Sequence, residues 1–212
     1  MRISVVTVCY NAAHTLADAV DSVLGQTSDP SAPFELEYIV VDGGSTDGTL
    51  DLLARHRNRI ATLISEPDQG LYDAMNKGIK AATGDVVAIL NADDVYASTD
   101  VLARVAATFR DSGAEAVYGD LNYVMADDLS KVTRRWNAGP YTPGAFRRGW
   151  MPPHPTLFVR RELYEQHGLF NLQLKSAADY ELMLRFFHFR GAQLAYLPRV
   201  TVKMRAGGQS NA

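Results

Sequence analysis

The first 120 residues switch between two hydrophobic periods, and that alternation confines the chain to few folds. Ile3-Ser-Val-Val-Thr-Val8 is a short β-branched run of strand type, after which Leu16, Val20, Val23 and Leu24 fall at helical spacing. Leu36 to Val41, Ala61 to Ser65, Asp85 to Leu90 and Ala116 to Tyr118 read as four further strands. Between them, Leu50, Leu53 and Ala54, then Leu71 to Ala82, then Thr99 to Arg110 carry helical patterns. Strand and helix alternating through short connections imply crossovers, and hence an α/β fold with a mostly parallel sheet and helices on both faces. In such sheets ligands sit beyond the carboxyl ends of the strands. Three of the strand-to-helix loops here are rich in Asp, Gly and Asn.

From Leu121 onward the rhythm fades. Leu129 to Gly149 is mixed and turn-rich, with Trp136 and Tyr141 inside it and Trp150 just beyond. Thr156 to Val159 reads as a strand, and Ala177 to Phe189 as an amphipathic helix in which Leu182, Leu184, Phe186 and Phe189 are apolar. Without a repeat or linker to divide it, the chain is expected to form one domain, 1–212, with unequal halves, 1–120 and 121–212. An apolar share of 47% excludes disorder as the main state. A single cysteine, Cys9, builds neither a disulfide framework nor a zinc cluster and points to a reducing compartment. A net charge of −3 argues against nucleic-acid binding by bulk electrostatics. No apolar run approaches the ~20 residues of a membrane span, and the start on a strand-like run rather than a basic-then-apolar leader argues against secretion. The expected location is cytoplasmic, extending to the inner face of the membrane.

Four segments carry candidate chemistry. In Asn91-Ala92-Asp93-Asp94, adjacent carboxylates at a strand end repel each other unless a cation or a ring of donors meets them. Hard oxygen ligands favour Mg²⁺ or Mn²⁺; a helix cap is the plainer reading, but Ser98 or Thr99 suits that role better. Asp42-Gly43-Gly44-Ser45-Thr46-Asp47-Gly48 is either a ligand-approaching loop, with Asp42 accepting from a ring N–H or ribose hydroxyl, or a glycine-rich turn capped by Asp47. It lacks the Gly-Lys-Ser/Thr of a P-loop, and Val8-Cys9-Tyr10-Asn11 lacks the glycines of a dinucleotide site. In Glu66 to Gly78, Asp73, Asn76 and Lys77 share a helix face, the usual mark of a solvated ion pair, while Asp68 in the preceding loop is the better functional candidate. In the fourth, Asp179 at a helix start is either a dipole partner or a reactive carboxylate. Beside these, His154 sits among three prolines able to hold it at a cleft, Cys9 reads as a small buried hydrophobe, and Lys203 and Arg205 form either a solvated end or an anion clamp.

In this order, Ser4 to Asn11, Val41 to Thr49, Glu66 to Gly78, Gly84 to Asp94, His154-Pro155-Thr156 and Ala178 to Arg185 resemble the family 2 glycosyltransferases of GT-A fold. The resemblance covers essentially the whole chain. It implies transfer of a sugar from a nucleotide-diphosphate donor, UDP-sugar being favoured, with inversion, to an acceptor hydroxyl in polysaccharide or glycolipid biosynthesis. Val8 and Tyr10 then line the nucleoside pocket, Asp42 and Asp68 hold base and ribose, and Asn91 and Asp93 fall on the donor-binding motif. Asp93 and Asp94 hold Mn²⁺ or Mg²⁺, Asp179 is the catalytic base, and Lys203 and Arg205 meet the donor's phosphates. Trp150, His154 and Glu181 are assigned to a saccharide or lipid-linked saccharide acceptor, with peripheral membrane association as a corollary.

Three positions depart from the family pattern. Gly43 stands where many members have a second Asp, Asn91 replaces the first Asp of the metal motif, and Ala178 replaces the Glu before the base. A further segment is expected beyond Gln209-Ser210-Asn211. Two rival readings are weaker. A sugar nucleotidyltransferase needs a basic glycine-rich loop after the first strand, which Cys9-Tyr10-Asn11-Ala12 does not supply. A non-catalytic nucleotide-sugar-binding module has no need of Asp93, Asp94 and Asp179 together.

Overall fold

The computed structural model describes residues 1–207; Gln209, Ser210 and Asn211, beyond which a further segment was expected, lie outside them. The first strand, β1 (Arg2–Cys9), is buried on both faces, which is why it reads as a near-continuous apolar run. Ile3 and Val5 point into one core layer, with Leu16 and Val20 of α1 (Leu16–Leu24) and Leu102, Val105 and Phe109 of α4 (Val101–Ser112). Val6 and Val8 point into the other, with Met75 and Ile79 of α3 (Leu71–Ala81). Gly78 lets α3 lie close on the sheet, since a Cβ there would come within 2.2 Å of Val6 Cγ1.

Around β1 the expected parallel unit is present. β2 (Glu35–Asp42), reached through α1, and β4 (Val86–Asn91), reached through α3, flank β1, and β3 (Thr62–Ser65) pairs with β2, all in parallel. The short α2 (Thr49–Arg55) joins β2 to β3.

Beyond β4 the sheet departs from the parallel expectation. β6 (Ala116–Val124) does not add next to β4; β8 (Leu157–Arg160) is inserted between them, antiparallel to both. β9 (Leu194–Arg205) then pairs in parallel with β6 and antiparallel with the short β5 (Val95–Tyr96), and β7 (Val132–Trp136) forms an antiparallel edge on β6. The strand order is β3-β2-β1-β4-β8-β6-β9-β5, so the sheet is parallel on one side and mixed on the other. After β8 come α5 (Arg161–His167) and α6 (Ala178–Met183), the latter running on as a π-helical segment, Leu184–Phe189. Single 3₁₀ turns at Ala145–Arg148 and His154–Thr156 punctuate the irregular stretch.

At the end of the sheet opposite the loops of interest, Glu37 is 4% exposed and ties three segments together. It accepts from Ser4 Oγ at 2.5 Å, from Thr83 Oγ1 at 2.6 Å and N at 2.8 Å, and from Arg2 Nη2 at 3.0 Å. Burial works to raise its pKa, but the hydrogen bonds of Ser4 and Thr83 and the charge of Arg2 outweigh it and hold the carboxyl below its ordinary 4.5. A lowered carboxylate pKa adds stability above the unfolded value and loses it as the pH falls through the folded one. Glu37→Gln is therefore expected to cost about 1.5–3 kcal/mol at neutral pH. In urea titrations the difference from wild type should narrow once the pH drops below 4.5. A constant difference down to the acid limit would show that packing, not charge, sets the cost.

Candidate active site

The loops after β1, β3 and β4 meet at the carboxyl ends of the parallel strands and enclose a cleft of about 400 Å³. This is within the range of small-molecule sites. Val8, Tyr10, Asp68, Leu71, Asn91 and Asp93 are among its lining residues. Tyr10 is 66% exposed, an uncovered aromatic face at the mouth.

The glycine-rich loop after β2 supports this cleft from behind. Asn11 adopts φ +47°, a left-handed conformation that Asn tolerates better than most residues, and its Oδ1 accepts from Thr46 N–H at 2.9 Å. The N–H groups of Asn11, Ala12 and Ala13 donate to Ser45 Oγ, Thr49 Oγ1 and Asp47 Oδ2. Asp42 is fully buried and accepts from Gly44 N–H at 3.1 Å, from Ser45 N–H at 3.1 Å and from Ser65 Oγ at 2.8 Å. The expected contact of Asp42 with base or ribose is therefore corrected: its carboxylate holds the loop and does not line the cleft. Cys9 is buried beneath it, and burial and the charge of Asp42 push the thiol up to about 12, which fits its reading as an inert hydrophobe.

Asp68 takes the exposed role. Its Oδ1 accepts from Gly70 N–H at 2.8 Å, while Oδ2 sits where a Cβ on residue 43 would lie 2.4 Å away. Gly43 thus leaves room for the Asp68 carboxylate at the cleft. Lys77 bridges Glu66 at 2.9 Å and Asp73 at 3.6 Å and donates to Pro67 O, so it braces the 66–70 loop; the ion pair of that helix face is present, but the face is not solvated throughout, since Asn76 is buried.

At the end of β4 the two adjacent carboxylates separate. Asp93 lines the cleft beside Asn91, while Asp94 is fully buried behind them, accepting from Asn91 Nδ2 at 3.2 Å. Burial and the charge of Asp93 push the Asp94 pKa well above the ordinary carboxylate range. The expectation that Asp94 holds a metal is corrected: of the pair, only Asp93 stands at the cleft surface. Asn91 Oδ1 and Asp94 Oδ1 are buried without a hydrogen-bond partner, so polar capacity at this strand end is unfilled. Among the described residues no group of three or more His, Cys, Asp or Glu forms a metal cage. The oxygen-only donor set fits a divalent cation held by one carboxylate and shared with ligand phosphates, the mode Mg²⁺ usually adopts.

The strand-end cations do not reach this cleft. Lys203 lies on a separate groove with Arg104, Asn122 and Arg199. Arg205 is 6% exposed; its guanidinium is engaged by Asp18 and by Ala126 O at 2.9 Å. Both were expected to meet the donor; on β9 it is Met204 between them that lines the cleft, and strand alternation points its two neighbours away.

On the other side of α3 a second group assembles around Asp179. Ala177 holds φ +64°, a conformation costing on the order of 1 kcal/mol for a non-glycine residue, and it sets the entry of α6. Asp179, half-buried in the first turn, accepts from Tyr72 Oη at 3.1 Å, 107 residues away in sequence. Burial and the neighbouring Asp179 charge raise the Tyr72 pKa, so the phenol remains a donor. Phe170 stacks on Tyr72 at 5.4 Å and meets His154 edge-on at 5.5 Å. Asn76 fixes Phe170 with paired main-chain hydrogen bonds of 2.9 Å. His154 is lowered below the usual imidazole value by burial, against the opposing charge of Asp179, which keeps it neutral near pH 7. Tyr72, Phe170 and Asn76 were not singled out for this site. Tyr72 and Asn76 share a face of α3 at i, i+4 spacing just after Asp68, and that was the available signal.

Two acceptor expectations change. Glu181 gives both oxygens to Arg185, at 2.9 and 3.0 Å, and Arg185 also donates to the carbonyls of His167, Gly168 and Leu169. It clamps a loop rather than facing an acceptor. Trp150 packs against Tyr118, Tyr141 and Phe146 and donates its indole N–H to Ala138 O at 2.9 Å, so it belongs to an aromatic cluster. Ala178, where the family commonly has Glu, is fully buried.

Comparison with known proteins agrees with this arrangement. The profile of Glycosyl transferase family 2 matches residues 4–168. A PGL/p-HBAD biosynthesis glycosyltransferase of Mycobacterium bovis is 33% identical over 214 residues, covering 98% of this chain and 78% of the relative. Among solved structures, S. aureus TarS in complex with UDP aligns with a TM-score of 0.76 at 19% identity, over 97% of this chain. A mannosyltransferase of Pyrobaculum calidifontis, in complex with GDP-Man and Mn²⁺, aligns with a TM-score of 0.71 at 21% identity, over 99% of this chain. The chain spans 61% and 58% of those two solved chains. The fold is that of GT-A glycosyltransferases, a mostly parallel sheet with antiparallel strands inserted on one side.

Proposed function

The chain belongs to glycosyl transferase family 2, and from that premise we propose that it transfers a sugar from a nucleoside-diphosphate donor to an acceptor hydroxyl with inversion. The observation that carries this reading is the Tyr72–Asp179 hydrogen bond, which sets a carboxylate beside the helix whose start lines the cleft. Inversion needs one base on the face opposite the leaving diphosphate, and Asp179 is that base. It takes the acceptor proton as the new glycosidic bond forms. Tyr72 holds one carboxylate oxygen and leaves the other to the acceptor, and neutral His154 with Phe170 walls the acceptor side.

In the cleft, Tyr10 stacks on the base and Val8 packs against it, while Asp68 accepts from base or ribose. Asn91 and Asp93 face the diphosphate. A divalent cation, Mn²⁺ or Mg²⁺, bound at Asp93 would neutralise the charge that develops on the leaving diphosphate, a contribution of several kcal/mol. UDP-sugar is the favoured donor, supported by the UDP complex of TarS; the GDP-Man complex of the P. calidifontis enzyme makes a guanine nucleotide the contrast to test. The acceptor is a saccharide or lipid-linked saccharide, at the inner face of the membrane, in polysaccharide or glycolipid assembly. No helix among the described residues is long and apolar enough to cross a membrane.

Calorimetry with UDP and GDP, with Mn²⁺ and then with EDTA, tests the cleft. Binding of one of the two should weaken at least about tenfold on chelation. Equal affinity with and without metal removes the cation from the donor site, and binding of neither nucleotide overturns the reading itself.

A further inference from the structure

Charge is divided sharply along the chain. Residues 1–120 hold 18 acidic and 8 basic side chains, whereas residues 121–212 hold 6 acidic and 13 basic ones. Two stretches of the second half, 129–161 and 182–212, contain no acidic residue at all. One place where they meet is the 3₁₀ turn Ala145–Arg148, which packs against the end of the π-helical segment. Arg147 Nε–H donates to His188 Nε2 at 3.4 Å, and the Phe146 and His188 rings lie 6.5 Å apart. The next residue, Phe189, is 74% exposed, more than any other large hydrophobic among the described residues. Its ring leans on His188 at 5.1 Å, the residue that Arg147 reaches, and Arg190 follows it in the chain; Arg147, Arg148 and Arg190 are all exposed. Glu165, on the neighbouring α5, is already paired with Arg161.

We infer that this cluster is a foot for an anionic lipid bilayer: Phe189 enters the headgroup region and Arg147, Arg148 and Arg190 bind lipid phosphates. Scale and sign both favour a bilayer over a protein partner. One aromatic ring offers at most ~200 Å², against the ~800 Å² per side of a stable protein interface. A second copy docking through the same patch would set three arginines against three. A bilayer needs only an apolar wedge and a basic rim, each cation gaining attraction from anionic lipid.

The position has a consequence for catalysis. Phe189 lies ten residues beyond Asp179 on one continuous helical segment, about 15 Å at helical rise. The base is thereby held within reach of a hydroxyl carried on a lipid headgroup. That consequence rests on the proposed transferase reading; the foot itself does not.

Flotation of the full chain with phosphatidylcholine vesicles, with and without phosphatidylglycerol, tests the foot at low and high salt. Binding is expected only to the anionic vesicles and is expected to weaken with salt. The triple variant Arg147→Gln, Arg148→Gln, Arg190→Gln should lose about 100-fold in partitioning, and Phe189→Ser about tenfold. Phe189→Leu should keep most of the binding, and Arg110→Gln, on the acidic half, all of it. Each variant is checked for an unchanged melting temperature and unchanged nucleotide binding, which separates this result from any failure at the cleft. The foot is overturned by absence of vesicle binding, by equal binding to neutral vesicles, or by a triple variant that binds like wild type. It is equally overturned if sedimentation shows that Phe189→Ser abolishes self-association and leaves vesicle binding unchanged.

Discussion

Asp179→Asn is expected to lower kcat at least 100-fold while the donor's dissociation constant stays within about twofold, because a general base contributes ~10²–10⁴ to the rate. The change keeps the shape of the side chain and an oxygen to accept from Tyr72, but removes the charge that accepts the acceptor's proton. Tyr72→Phe leaves that charge in place and removes only one hydrogen bond to it, about 1.5 kcal/mol, so a loss of roughly tenfold is expected, again in kcat. The hydroxyl's role is positioning, and an unchanged donor affinity in Tyr72→Phe is what separates it from a packing defect. Glu181→Gln makes the opposite contrast. Its partner is Arg185, which holds the carbonyls of His167, Gly168 and Leu169, so its main effect should appear in the melting temperature and little in turnover. A dead Glu181→Gln beside a live Asp179→Asn, with both folded, would transfer the base role to Glu181.

The sequence made the parallel half of the fold legible because each strand there is followed by its own crossover helix, so local period and tertiary neighbour coincide. Ile3 to Val8, Leu36 to Val41 and Asp85 to Leu90 are adjacent in the sheet for that reason. The second half broke that link. β8 enters between β4 and β6 from 33 residues beyond the end of β6, a pairing that no local pattern encodes. β9 carries Pro198 and Arg199 in its middle, and its register against β6 shifts between Tyr118 and Asp120. Such a strand shows no clean alternation. Phe189 illustrates a subtler failure. It fits the helical face of Leu182 and Phe186, but the π-helical turn has more residues per turn, so the phase slips and the last ring leaves the core.

At the site, the motif residues were found by type, but their free atoms were not. Asp42 and Asp68 are both carboxylates beside loops, and only the fold brings four donors onto the first while Gly43 opens space for the second. Lys203 and Arg205 sit two residues apart near the end of the chain and read as one clamp. Strand pleating turns Met204 between them to the cleft and both cations away from it, Lys203 onto a separate groove and Arg205 against Asp18 and Ala126. Tyr72 was missed because its partner is 107 residues away, a separation that only folding closes.

The division between Asp93 and Asp94 leads to the second large effect. If the cation needs one carboxylate at the cleft surface, Asp93→Ala should lose several kcal/mol of leaving-group stabilisation, about 100-fold or more in kcat/KM. Its nucleotide affinity should no longer respond to Mn²⁺. Asp94→Asn is isosteric and keeps a carbonyl oxygen facing Asn91 Nδ2, at a position with no exposure to the cleft. It should preserve the Mn²⁺ response of nucleotide binding. It should also stabilise the folded chain at neutral pH, because burying an ionised carboxylate beside Asp93 is unfavourable and the amide removes that charge. The measurement is a pair of nucleotide titrations with and without Mn²⁺, alongside melting curves. Were Asp94→Asn to abolish the Mn²⁺ response while Asp93→Ala kept it, the buried carboxylate would have to turn outward on binding. The ligand assignment would then move to Asp94.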